Sequence, residues 1–192
     1  MNTNTKLYLE ITKYIGQREN PSPIISNPWI AKVIDEMSKI LNYSSKDDSK
    51  IAWCAIFLNW VLQKLGMKGS SNAAARTFYN ERDKIGEVLW DYKKDSMENL
   101  LQLIKEELIQ SGDICVFWSG SLTRDWRGHV AVFTSYAEES ASDALYVLGG
   151  NQKNQINANP YAISRLLCVI RPEYESICVN CDASKMYIHG II

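Results

Sequence analysis

Histidine is scarce in this chain: only His129 and His189 occur among 192 residues. Chemistry that needs an imidazole near neutral pH therefore has two places to be. Long apolar runs are missing, so no segment offers the roughly 20 apolar residues that span a bilayer. The opening stretch, MNTNTKLYLEITKYIGQREN, has neither the cationic start nor the unbroken apolar run of a secretory signal. The expectation is a soluble chain made in the cytoplasm, which would need some route other than an N-terminal signal to act elsewhere. An excess of charge is missing as well. The formal net charge is −1, which gives no electrostatic case for nucleic acid or for an anionic membrane surface. Five cysteines, an odd number, argue against a closed disulfide framework. Internal repeats and low-complexity tracts are absent, and the length suits one domain with a full core.

What is present falls into two halves. LYLEITKYIG reads as a short amphipathic helix stopped by Gly16. The prolines of ENPSPIISNP make a loop. NPWIAKVIDEMSKIL is a helix with Asn27 as cap and Pro28 in its first turn. SKIAWCAIFLNWVLQKLG, residues 49–66, is helical and apolar on nearly every side. SSNAAARTFYNER predicts a helix capped by Ser70 or Ser71. DSMENLLQLIKEELIQSGD predicts another, with Asp95 and Glu98 at capping-box spacing and Gly112 as its end. Beyond Gly112 the pattern changes to short runs rich in Val, Ile, Phe and Tyr: DICVFWSG, GHVAVFTSYA, ALYVLGGN and SRLLCVIRP. EESASD reads as a hairpin loop between the second and third. Helices first and strands second predict an α+β domain, with an antiparallel sheet packed on the helices. Cys115 and Cys168, flanked by strand-type residues, are expected to be inert core thiols.

The core helix carries Cys54 at its start. His129 opens the second strand run, and Asn151 follows two glycines at the end of the third. A free thiol is mostly protonated at neutral pH, and a helix N-terminus or a neighbouring imidazolium favours the thiolate. An imidazole would serve as acid to a leaving amine and base to water. A side-chain amide would hold the ring's tautomer and orientation. The Cys54 backbone N–H, free at a helix start, is a natural oxyanion donor. Each residue also has a plain structural explanation: a small core thiol, a half-buried histidine, a turn asparagine. From the residues alone the two readings stand side by side.

Taken in order, AWCAIFLNWVLQKLG, SGDICVFWSG…WRGHVAVF and LGGNQ…ISRLLCVIRP resemble the NlpC-type and CHAP-type cell-wall cysteine hydrolases. GQRENPSPIISNPWI resembles the stretch before the nucleophile in one branch of them. The likeness runs over about residues 10–172. It implies a papain-like fold, a helical half carrying the cysteine against an antiparallel sheet carrying the histidine. It matches Cys54 to the nucleophile, His129 to the base and Asn151 to the orienting residue, without metal or organic cofactor. The implied activity is hydrolysis of an amide bond in peptidoglycan peptides, as an endopeptidase or an N-acetylmuramoyl-L-alanine amidase. Without a signal, either a phage-type lysin or an injected antibacterial effector fits, the second with an immunity protein as partner. An idle binding module and an amidase or deamidase acting on a non-wall substrate remain open. Some CHAP enzymes have an acid two positions before the orienting amide, where this chain has Gly149.

Four further residues are expected to meet substrate. Trp53 precedes the thiol. Glu19 lies in the loop implied to approach the cleft. Trp126 and Arg127 precede His129, an amphipathic ring suited to sugar or peptide and a guanidinium suited to a carboxylate. Trp118 brackets the same loop. CVNC at Cys178 and Cys181, with His189 beyond, offers three ligands where a closed zinc site wants four, so no metal is expected. Residues 1–172 are taken as the hydrolase domain, and 173–192 as an extension too apolar to hang free.

Overall fold

A computed structural model describes residues 1–22, 25–41, 43, 48–122, 126–136 and 143–175. The helices are α1 (Thr3–Thr12), α2 (Pro28–Ser38), α3 (Cys54–Lys64), α4 (Ala75–Asn80), α5 (Arg82–Ile85) and α6 (Met97–Lys105). The strands are β1 (Gly86–Asp91), β2 (Ile114–Trp118), β3 (Gly128–Tyr136), β4 (Ala144–Gly149), β5 (Asn157–Ala162) and β6 (Leu166–Pro172). They form one antiparallel sheet in the order β1-β6-β2-β3-β4-β5. The α+β class and the packing of helices on an antiparallel sheet are as the sequence predicts.

Strand alternation sorts the core into two layers. Ile114, Val116, Val130 and Val132 face the layer that holds α1–α4, including most of α3. Cys115, Phe117, Ala131 and Phe133 face the opposite layer, closed by Leu100 of α6, Trp90 and Ile163. Both faces of β2 and β3 are therefore dry, which is why those runs are nearly continuous in apolar residues. Cys115 and Cys168 lie fully inside, and burial raises both thiols.

The helical half is locked at its ends. Asn27 caps α2 by accepting from the N–H groups of Trp29 and Ile30. α1 is joined to α3 through Glu10, whose carboxylate takes Lys64 at 2.7 Å, Lys13 at 2.5 Å and the Tyr14 hydroxyl at 2.9 Å. Burial pushes Glu10 up, but those donors outweigh it and hold the group at about 2.

Several elements depart from expectation. α3 begins at Cys54, with a separate short turn over Asp48–Lys50. α6 stops at Lys105, not near Gly112, because Glu107 turns into the left-handed region at φ 54°. Ser96 caps it through the Asn99 N–H, whereas Asp95 accepts from Asp91 N. α4 begins at Ala75 with no side-chain cap on Ala74. Asn72 turns the chain into it, and Ser70 and Ser71 bond elsewhere. Strands β1 and β5 add to the four expected. β5 tolerates Pro160 because it is an edge strand. The EESASD loop lies almost wholly, and the chain from residue 176 onward entirely, outside the described residues. Of the extension, Glu173–Glu175 run against the α3–α4 connection, with Lys68 N–H donating to Glu173 O and Glu175 N–H to Gly66 O.

Trp53 joins three parts of this frame. It is 1 % exposed, its ring meets Phe57 edge-on, and its indole N–H donates to Glu19 at 2.8 Å. The backbone of Gly150 lies against the same ring: a Cβ there would come within 2.6 Å of Trp53 Cζ3 and 3.1 Å of Phe57 Cβ. Gly150→Ala should therefore cost about 1–3 kcal/mol through overpacking. Chemical denaturation checks this, and an unchanged midpoint would show that the ring has room to move.

Candidate active site

Cys54 is the first residue of α3 and only 3 % exposed. The backbone N–H groups of Val130 on β3, of Ala55 and of Cys54 itself lie near its sulfur and favour the thiolate. Burial nevertheless dominates and raises the thiol. The residue stands at the floor of a cleft of about 470 Å³, walled by Ala73, Ala74, Ser119, Trp126 and Arg127.

His129 is next to Val130 in the strand, so the sulfur abuts the backbone beside the imidazole. By alternation its side chain shares the face of Ala131 and Phe133, turned from α3. The ring lies flat on Tyr161, centroids 4.7 Å apart and planes within 7°. Its Nε2 is buried without a hydrogen-bond partner. Burial, and then the charge of Arg165, lower His129 to about 4. The resting pair is thus a protonated thiol and a neutral imidazole.

The β3–β4 register pairs Val132 with Leu148. Continued three residues, it would bring Asn151 opposite His129. The strand instead ends at Gly149, and Asn151 turns into the left-handed region at φ 56°, which asparagine tolerates. Its loop is held by backbone bonds from Glu19 N–H to Asn154 O and from Ile156 N–H to Gln17 O. Gln152 is buried under the loop and donates to the carbonyls of Val147, Gly149 and Asn157. Asn151 consequently lines a second, polar concavity of about 510 Å³ with Glu19, Asp48 and Asn154. The two hollows share Ile51 and Ala52. So the Cys54 sulfur lies near the backbone next to His129 while the imidazole itself is on the other face of the sheet, and Asn151 lines the adjoining hollow with no hydrogen bond to Nε2.

Gly149 fits its place for a steric reason. A Cβ there would lie 2.7 Å from Ala131 Cβ, so an acidic side chain at this position would collide with β3.

The four expected contact residues divide. Trp126 is 73 % exposed and lines the thiol cleft with Arg127. Glu19 faces the second concavity while accepting from Trp53. Trp53 is a correction: its ring is enclosed by Phe57 and Gly150 and has no surface with which to meet a substrate. Trp118 is partly buried and lies under the Arg165 guanidinium.

Two residues escaped the sequence reading. Arg76 on α4 donates to the carbonyls of Ser121, Leu122 and Arg127, fixing the wall that carries Trp126. Nothing in AAART signals this. Tyr161 lies in NANPYA, where proline disguises an edge strand. Among the described residues no group of three or more His, Cys, Asp or Glu is placed to hold a metal, and no helix is long and apolar enough to cross a membrane. CVNC and His189 lie outside the described residues.

Fold and cleft together define an α+β protein whose core helix opens with a buried thiol close to the backbone of the strand that carries His129. No family model matches the chain, and neither does any curated protein. Among solved structures it is similar to a wild-type endolysin, LysIME-EF1, with a TM-score of 0.50 and 14 % identity, over 92 % of this chain and 67 % of that one. At that identity the likeness speaks for the fold.

The site sets a stability profile. An unfolded histidine takes a proton near pH 6.5, whereas folded His129 resists until about 4. Between those values protonation favours the unfolded chain, so stability falls as pH drops from 6.5 to 4 and the loss then levels off. The loss is on the order of 3 kcal/mol. Glu10 acts in the same direction lower down, between 4.5 and about 2. Stabilities of wild type and His129→Gln from urea melts should differ in their pH slope between 4 and 6.5 and run parallel outside that window. Parallel curves throughout would mean the imidazole is solvated.

Proposed function

We propose that the chain is a thiol-dependent amide hydrolase acting on the peptide part of peptidoglycan. The observation that carries this reading is the Cys54 sulfur, on the floor of an open cleft and against the Val130 N–H, one residue from the only imidazole among the described residues. The endolysin-like fold and the sequence resemblance support the choice of wall peptide as substrate.

In this reading, Cys54 adds to the amide carbonyl as its proton passes to His129. Because the resting thiol is protonated and the imidazole neutral, proton transfer accompanies attack. The Cys54 backbone N–H, at the unpaired end of α3, receives the developing oxyanion. Collapse expels the amine, which takes the proton from the imidazolium. Water, deprotonated by His129, then hydrolyses the thioester and restores the thiol. Asn151 would join as orienting residue only after its loop swings across β4. Trp126 and Arg127 would hold the acceptor peptide, and Glu19 would face it from the adjoining concavity.

The bond is either the sugar–peptide amide or a peptide linkage. Action on the wall implies release as a lysin or injection as an effector, with an immunity protein as partner in the second case. One observation favours a different reading, an idle binding module: the His129 Nε2 has no orienting partner.

A muropeptide digest separates the two. Wild type should release fragments whose masses name the bond, and Cys54→Ala should lower turnover by about 10³-fold or more while remaining folded. Cleavage by Cys54→Ala at the wild-type rate would refute the thiol mechanism. Binding without cleavage by wild type, on walls of several chemotypes, would establish the module.

A further inference from the structure

We infer that Tyr161 is the positioning residue of His129, holding the imidazole by ring stacking where an amide would otherwise hold it by a hydrogen bond. The two rings are parallel within 7° at 4.7 Å. Tyr161 is itself braced by Phe117, at 4.9 Å between centroids, and Phe117 is the cross-strand partner of His129. Imidazole, phenol and phenyl thus form one stack spanning β2, β3 and β5. Tyr161 is paired with Leu145 near the start of β4, so β5 brings its ring to the imidazole from within the sheet.

Nε2 is buried and unpartnered, and Asn151 faces the neighbouring concavity. Among the described residues, Arg165 from the turn before β6 acts on the imidazole charge and Tyr161 lies on its ring, while Cys54 from α3 acts on the Tyr161 phenol. Arg165 is engaged with Trp118, donating to its carbonyl at 3.1 Å while lying over its ring. Burial and then the nearby Cys54 keep the phenol protonated, up to about 12, so Tyr161 acts as a flat neutral surface. A stack fixes the plane of the imidazole and keeps water off one face but permits the 180° flip about Cβ–Cγ that exchanges its nitrogen positions. Substrate would then set the final direction of Nδ1 and Nε2.

The kinetic arm of the test rests on the amidase reading; the spectroscopic arm does not. In wild type, the His129 ring protons should be shifted upfield by Tyr161 and the ring should titrate near 4. In Tyr161→Leu the upfield shift should vanish and the titration should move toward 6.5. Turnover should fall about 10²-fold in kcat with KM little changed, as expected for a misplaced catalytic group. Tyr161→Phe, which keeps the ring, should recover most of both. Unshifted His129 protons in wild type would overturn the proposal without recourse to a variant. So would a Tyr161→Leu protein with wild-type titration, or a Tyr161→Phe protein as impaired as Tyr161→Leu. If wild type cleaves nothing, the amidase reading fails while the ring shift and titration still decide the stack.

Discussion

The contact between Trp53 and Gly150 governs where everything else stands. A large ring directly before the thiol fills the space beside the end of β4, and only a glycine lets the backbone pass it. That contact fixes where α3 begins and how near its first turn comes to β3. It also halts β4 one residue past the Leu148–Val132 pair. Glu19 ties the indole to the loop before α2, so a single side chain registers three segments distant in sequence. Past the end of β4 the chain turns into the loop of Asn151, which lines the hollow beside the Cys54 cleft.

Electrostatics at the site follow from dryness more than from partners. Nearby backbone N–H groups favour the Cys54 thiolate, yet burial still raises the thiol. Burial, and then the charge of Arg165, lower His129, and among the described residues no carboxylate or amide offsets them. Both shifts point to neutral groups at rest. The proposed chemistry therefore depends on proton transfer during attack, and on substrate closing the cleft around a pair already shielded from water.

Much of this was legible in the sequence, for identifiable reasons. Strand periodicity revealed β2, β3, β4 and β6, because each alternates between two apolar layers. Asn27–Pro28 revealed the start of α2 through cap chemistry that is local. The thiol at a helix start and the imidazole at a strand start were visible as positions. What escaped depends on contacts distant along the chain. The direction of Asn151 is set by its pairing with Gln17–Glu19, more than 130 residues earlier. β5 was hidden because its proline is permitted only by an edge position the sequence does not reveal. The burial of Trp53 reflects the glycine opposite it, and the carbonyl clamp of Arg76 reflects the path of a loop some 45–51 residues later.

The account stands on Cys54 being the reacting atom, and stepwise alkylation tests that most directly. Samples treated with iodoacetamide for increasing times would be divided. One portion would be assayed on peptidoglycan, and the other digested so that labelling of each cysteine is read by mass. The account predicts that turnover disappears in proportion to the fraction of Cys54 labelled, with Cys115 and Cys168 untouched because they are fully enclosed. Turnover persisting in a sample whose Cys54 is completely alkylated would contradict it.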